Sequence, residues 1–281
     1  MAPLDGKLPL GGCTLRFADS SGPNTGVGPG AGERSKAIGS ERSRAVVLLH
    51  GAGADHTMFE HQAEALRRSG LRVVLLDLRG HGASRPNSTP LSPELLASDV
   101  ERLIAHLRLG EVSLVGHSLG GNLAQELVRR TPERFRSLVV LDSTWNAGPL
   151  TALARGALWL AAPILSLIPA RLLPRLMADA SATTPAARAE LTRTFGAMSK
   201  REFIAVWRAT TDFVRPDAGH RSPIPTLLVR GERDGTGNIA RAMPAWAAAE
   251  HLTQVVIPGA GHVVTMDAPD ETSDALVTFL S

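Results

Sequence analysis

The sequence has no tyrosine, a single cysteine and only 4% aromatic residues. With one thiol, Cys13, an intramolecular disulfide is excluded, and a free thiol fits a reducing compartment. The missing tyrosine also accounts for a misleading pI of 9.7. Little titrates between histidine and lysine, so a formal charge of only +3 keeps the chain positive to high pH. That positive charge is nearly all arginine, scattered and without interleaved aromatics, so no nucleic acid partner is expected. Long apolar runs are lacking too. The longest uncharged one, Gly156 to Ala170, spans 15 residues and contains Pro163 and Pro169, too short and too broken to cross a bilayer. Pro3, Asp5 and Lys7 interrupt the N-terminus and no apolar stretch follows, so the expectation is a cytoplasmic protein with no stable membrane insertion. The nine histidines form no H-x-H or H-E-x-x-H, and no metal is expected.

What is present is a 281-residue chain, 43% hydrophobic, with a mean hydropathy of +0.02, enough for one domain with a real core plus an insertion. Its most informative stretch is Gly116, His117, Ser118, Leu119, Gly120 and Gly121. Before it runs the β-prone Val112 to Val115; after it Leu119, Leu123 and Leu127 follow at helical spacing, closed by Pro132. A strand turning sharply into a helix through G-x-S-x-G is a nucleophile elbow. The turn holds the serine in a strained conformation and needs glycine two residues to either side. It lifts the hydroxyl clear of the sheet and aims the unpaired N–H groups of the helix start at whatever the serine attacks. The pattern alone also fits a plain glycine turn, so its surroundings decide.

Four segments supply them. Val46 to Leu49 runs into His50, Gly51, Ala52 and Gly53, and Val73 to Leu76 runs into Asp77, Arg79, Gly80, His81, Gly82 and Ser84. Thr226 to Val229 leads through Gly231 to Asp234, and Val255 to Ile257 leads through Gly259 and Gly261 to His262. Together they resemble the α/β-hydrolase superfamily, whose members carry HG-x-G, D-x-R-G-x-G-x-S, G-x-S-x-G, G-x-x-D and G-x-x-G-H in this order. The resemblance covers about residues 45–145 and 223–281.

It implies the α/β-hydrolase fold: a mostly parallel, doubly wound sheet with a helical cap inserted after the sixth strand. Alternating strand and helix signals agree with such a sheet. Between about Asn146 and Arg221 the strand rhythm stops and the sequence turns helix-prone with proline breaks. Residues 1–145 and 222–281 are therefore expected to form the core and 146–221 the cap. The stretch 21–44, rich in glycine, serine and proline, reads as a mobile surface loop.

A neutral serine hydroxyl needs a base, and the base needs an acid to fix its tautomer. In the order usual for this fold these are Ser118, Asp234 as acid and His262 as base. Asp142, ending the strand after the elbow helix, and Glu232 stay open as alternative acids. An oxyanion needs preorganised donors: the N–H of Leu119 and, by resemblance, that of Ala52. Ala52, His56, His117 and Leu119 are expected to line the pocket, under a roof of Trp159, Leu160, Leu165, Leu167, Met177, Phe203 and Trp207. His50 and the set Asp77, Arg79, His81 and Ser84 read as loop-fixing groups.

The expected activity is a cofactor-free serine hydrolase that cleaves a small-molecule carboxylic ester or lactone through an acyl-enzyme. A perhydrolase or haloperoxidase-like reaction uses the same side chains and is the first alternative. Carbon–carbon bond hydrolysis is a second, disfavoured by His117 where such enzymes commonly carry asparagine. A small-molecule receptor on the same scaffold is the non-enzymatic alternative. Ser118 in place of an aspartate argues against epoxide hydrolases and haloalkane dehalogenases.

Overall fold

Apolar runs of four to six residues separated by amphipathic helices can be buried in one way: parallel strands covered on both faces. The structure, a computed structural model, describes residues 3–20 and 44–281, apart from the side chains at 152–154, 157 and 159. Of the expected loop at 21–44, only Arg44 lies among the described residues. Among the described residues the sheet has eight strands: β1 (Gly6–Leu10), β2 (Cys13–Asp19), β3 (Ala45–Leu49), β4 (Arg72–Asp77), β5 (Val112–His117), β6 (Phe135–Leu141), β7 (Thr226–Gly231) and β8 (Thr253–Ile257). Their spatial order is β1-β2-β4-β3-β5-β6-β7-β8. The hairpin β1–β2 is antiparallel and joins β4 antiparallel; every pairing from β4 to β8 is parallel.

Each central strand feeds both faces because successive side chains alternate. Val47, Leu49, Leu114 and Val140 pack with Leu96, Val100 and Leu103 of α2 (Pro93–His106) and Leu123 and Leu127 of α3 (Leu119–Arg130). On the other face Val46, Leu48, Val115 and Val139 share a cluster with Ala63 and Leu66 of α1 (Glu60–Arg68). Helix α2 starts as its sequence suggests: the Ser92 hydroxyl accepts from Leu95 N at 3.2 Å, and Pro93 takes the first turn.

Between β6 and β7 lie four helices: α4 (Ala152–Leu167), α5 (Leu173–Ser181), α6 (Pro185–Gly196) and α7 (Lys200–Thr211). Helix α5 packs on α6 and α4 on α7. Leu173, Ala178, Leu191, Phe195 and Phe203 join one core cluster, while Met198, Val206 and Phe213 join the other, so the insertion is fastened to both faces of the sheet. Helices α8 (Ile239–Glu250), α9 (Val264–Asp267) and α10 (Pro269–Leu280) complete the chain. Met243 and Trp246 of α8 pack on the α2–α3 side, and Leu276 and Leu280 of α10 on the α1 side.

Candidate active site

The turn after β5 places Ser118 at φ 51° and ψ −114°, a left-handed conformation that a residue with a Cβ adopts only when its surroundings enforce it. The two glycines allow it. A Cβ on Gly116 would run into the Gly120 carbonyl, and one on Gly120 into the Leu49 carbonyl. Ser118 N–H donates to Leu141 O at 3.0 Å, and its carbonyl accepts from Asn122 N and from the Ser143 hydroxyl. The serine is thereby pinned through its backbone, and its Oγ is left to meet a base.

Facing it is His262, the expected base, on the loop after β8. Its Nε2 lies 3.1 Å from Ser118 Oγ and its Nδ1 3.1 Å from Asp234 Oδ2. Asp234 follows β7, and its other oxygen accepts Thr236 N–H at 2.8 Å. Burial works against its charge, but His262 and the Thr236 N–H outweigh it and hold the carboxyl below its ordinary value. The expected acid thus faces His262 in ionised form.

The two alternative acids do other things. Glu232 accepts from Gly259 N–H at the surface. Asp142 is fully buried at φ 40°, with Oδ1 accepting Gly231 N–H at 2.8 Å and Oδ2 facing Val264 N–H at 3.4 Å. Burial first, and then the neighbouring Asp234 carboxyl, push Asp142 well above the usual carboxylate range and favour its protonated form. Ligand atoms of Asp142, Asp234 and His262 fall within 4.8 Å of one another. Backbone N–H groups and the imidazole already engage each carboxylate oxygen, which suits a hydrogen-bonded relay better than a metal.

His117 lines the cavity but has a second task, since its Nε2–H donates to His262 O at 2.7 Å. Burial, then the neighbouring His262, push His117 down to about 3, so it is a neutral donor. The expectation for His56 is overturned. The Asp55-capped turn His56–Phe59 directs its ring toward β4, where both its N–H and its Nδ1–H donate to Asp77 Oδ1 at 2.8 Å, and it does not line the cavity. Leu119 likewise contributes no lining side chain, because it packs fully buried against the sheet. Its amide begins α3, where no intrahelical acceptor exists. Ala52 lines the cavity beside Ser118, and its N–H has no acceptor among the described residues. His50 does fix loops: Leu78 N–H donates to its Nε2 and its Nδ1–H donates to Gly51 O. Asp77 accepts from Ala83 N, Ser84 Oγ donates to Asp77 O, and Arg79 forms a buried two-point pair with Asp99.

The cavity over Ser118 has a volume of about 160 Å³. Met177, Leu191, Phe195, Phe203 and Trp207 close it from the insertion side. Two larger hollows of about 320 and 420 Å³ flank Trp145 and contain none of Ser118, Asp234 or His262. Of the expected roof, Met177, Phe203 and Trp207 are in place, whereas Leu165 is buried elsewhere. Leu160 and Leu167 correct the expectation: they are 46% and 83% exposed, because α4 uses its other face to pack on α7. The side chain of Trp159 lies outside the described residues.

Asp267 escapes sequence reasoning altogether. Its carboxylate accepts the N–H groups of Thr183, Thr184 and Gly261 between 2.9 and 3.0 Å, tying the insertion to the loop that carries His262. Two of these donors lie more than 80 residues away, and no local pattern announces such a contact.

The buried histidines predict an acid limit to stability. Burial lowers His50, His81 and His117, the last two to about 3, while unfolded histidine titrates near 6.5. Below about pH 6.5 the unfolded chain therefore binds protons that the fold refuses, so stability falls as pH drops toward 3. Asp142, raised in the fold, works in the opposite direction and offsets part of this. Urea unfolding midpoints measured from pH 7 to 4 are expected to fall steadily; a flat profile would refute this.

Comparisons with known proteins agree with the geometry. A family model described as "Alpha/beta hydrolase family" matches residues 46–275. The chain is 30% identical over 261 residues to the sn-1-specific diacylglycerol lipase ABHD11 of Mus musculus, which covers 84% of this chain and 81% of that protein. Its fold matches a thermophilic esterase from Thermogutta terrifontis with a TM-score of 0.75 and 25% identity, covering 95% of this chain and 93% of the other. It also matches the enol-lactonase from Burkholderia xenovorans LB400 at a TM-score of 0.78 and 21% identity, covering 98% and 99% of the two chains, a likeness of fold alone. By the extent of the family match and the length shared with these relatives, this chain belongs to the alpha/beta hydrolase family.

Proposed function

We propose that this hydrolase uses Ser118 as nucleophile to cleave a carboxylic ester or lactone through an acyl-enzyme. The observation that carries the reading is the continuous line from Ser118 Oγ through His262 to Asp234, with both steps at 3.1 Å, at the floor of an apolar cavity. His262 Nε2 takes the serine proton as Oγ attacks the carbonyl carbon. Negative charge gathers on the carbonyl oxygen and meets the N–H groups of Ala52 and Leu119. Collapse of this intermediate breaks the ester C–O bond, and His262 returns the proton to the leaving alkoxide. Water, deprotonated by the same imidazole, then releases the acid and restores Ser118. Ionised Asp234 keeps the proton on Nδ1 and stabilises the imidazolium. No step in this sequence calls for a cofactor.

In this reading residues 146–221 act as a cap whose α5, α6 and α7 roof the site. The single thiol, Cys13, is buried with its Sγ donating to Ser84 O, and suits a reducing compartment such as the cytoplasm. A cavity of about 160 Å³ favours small to medium acyl groups, because drug-sized ligands occupy about 300 Å³ or more. A fluorophosphonate probe is expected to label Ser118 alone. On a panel of esters, lactones and thioesters, rates should peak at short or medium acyl chains and fall for long ones. Steadily rising rates with chain length, or no labelling of Ser118, would refute the assignment.

A further inference from the structure

Six large apolar side chains stand strongly exposed among the described residues, and five of them belong to the first half of the insertion. Leu160, Ile164 and Leu167 follow one another by four and three residues and so share one face of α4, 46%, 58% and 83% exposed. Leu172 and Leu176, again four apart, share a face at the start of α5. The opposite side of α4 turns Ala162 and Leu165 inward. Summed over the two faces, the five side chains expose roughly 500 Å² of apolar surface. That area falls short of the roughly 800 Å² per partner that a stable protein interface covers.

The charge beside these faces is mostly positive, with Asp179 as the exception. From 150 to 178 the only ionic side chains are Arg155, Arg171 and Arg175, all exposed. Arg155 and Arg171 have no carboxylate partner among the described residues, and Arg175 has only a loose pairing with Asp179 at 3.7 Å. Arg201 and Arg208 of α7 add two more cations along a shallow groove shared with Ser166. No helix among the described residues is long and apolar enough to cross a membrane. An apolar helix face flanked by Arg171 and the loosely paired Arg175, too short to span, suits the boundary between headgroups and acyl chains.

We propose that the exposed faces of α4 and α5 dock this protein on an anionic phospholipid surface, with Leu160, Ile164, Leu167 and Leu176 entering the headgroup boundary and Arg171 and Arg175 meeting lipid phosphates. Helix α5 also lends Met177 and Ala180 to the cavity wall, so the lipid-facing element stands next to the site. The docking surface contains no residue of the Ser118 line, and its test does not depend on the chemistry there.

Flotation of the full chain with vesicles of phosphatidylcholine, with and without phosphatidylglycerol, decides the matter. The bound fraction should be about tenfold higher on phosphatidylglycerol-containing vesicles and should weaken with added salt. Ile164→Glu with Leu167→Glu should lower that binding about tenfold or more. Arg171→Gln with Arg175→Gln should bring it down toward the phosphatidylcholine level. The arginine pair leaves apolar packing untouched and keeps the test decisive if the glutamates disturb the fold. Hydrolysis of a short soluble ester should be unchanged in both variants. No flotation, or equal binding to neutral and anionic vesicles, overturns the proposal. So does a concentration-dependent dimer that Ile164→Glu with Leu167→Glu dissociates, since these faces would then meet a second copy of the chain. If the wild type fails to hydrolyse esters but still floats, the chemical reading fails and the docking surface stands.

Discussion

Ser118→Ala is expected to lower ester turnover by about 10⁴–10⁶ while the protein folds as before, the usual consequence of losing a nucleophile whose partners act as a unit. The Ser118 hydroxyl makes one hydrogen bond, to His262 Nε2, whereas the turn itself is held by the Ser118 N–H and carbonyl, which alanine retains. The melting temperature should therefore move by no more than a few degrees. Steady-state kinetics on a short ester, with thermal unfolding followed by circular dichroism, provide both readings. Purified variant that keeps more than a few per cent of wild-type turnover would remove Ser118 from the chemistry.

The second large effect separates two carboxyl groups that share one buried corner. Asp234→Asn preserves shape but lets His262 adopt the wrong tautomer, and a loss of about 10⁴ in turnover is expected. Asp142→Asn should cost about tenfold or less, because an amide reproduces a protonated acid: an oxygen to accept a backbone N–H and a donor toward Asp234. Asp142→Ala should cost more than Asp142→Asn, since it leaves Gly231 N–H, at 2.8 Å in the wild type, without its acceptor. Side-by-side kinetics of the three variants are the test. If Asp142→Asn is the more damaging of the two asparagine changes, Asp142 is the ionised partner of His262 and the assignment reverses.

Hydrophobic periodicity and turn chemistry determined much of this protein. The apolar runs at β3 to β8, the Ser92–Pro93 helix start and the glycine-flanked Ser118 are local features, dictated by side-chain alternation, capping and steric exclusion. The line Ser118, Asp234 and His262 was legible because each residue follows the carboxyl end of a strand, and parallel strands deliver those ends to one edge. What lay beyond local pattern was decided by packing between distant segments. Whether His56 faces the cavity or Asp77 depends on how one turn of 3-10 helix sits against β4. The upward shift of Asp142 comes from burial beside a second carboxylate, which no spacing encodes. Asp267 binds a helical insertion to the histidine loop across more than 80 residues. The outward turn of Leu160 and Leu167 follows from the choice of α7 as the partner of α4, because an apolar helix has several faces and only the tertiary fold selects which one is covered.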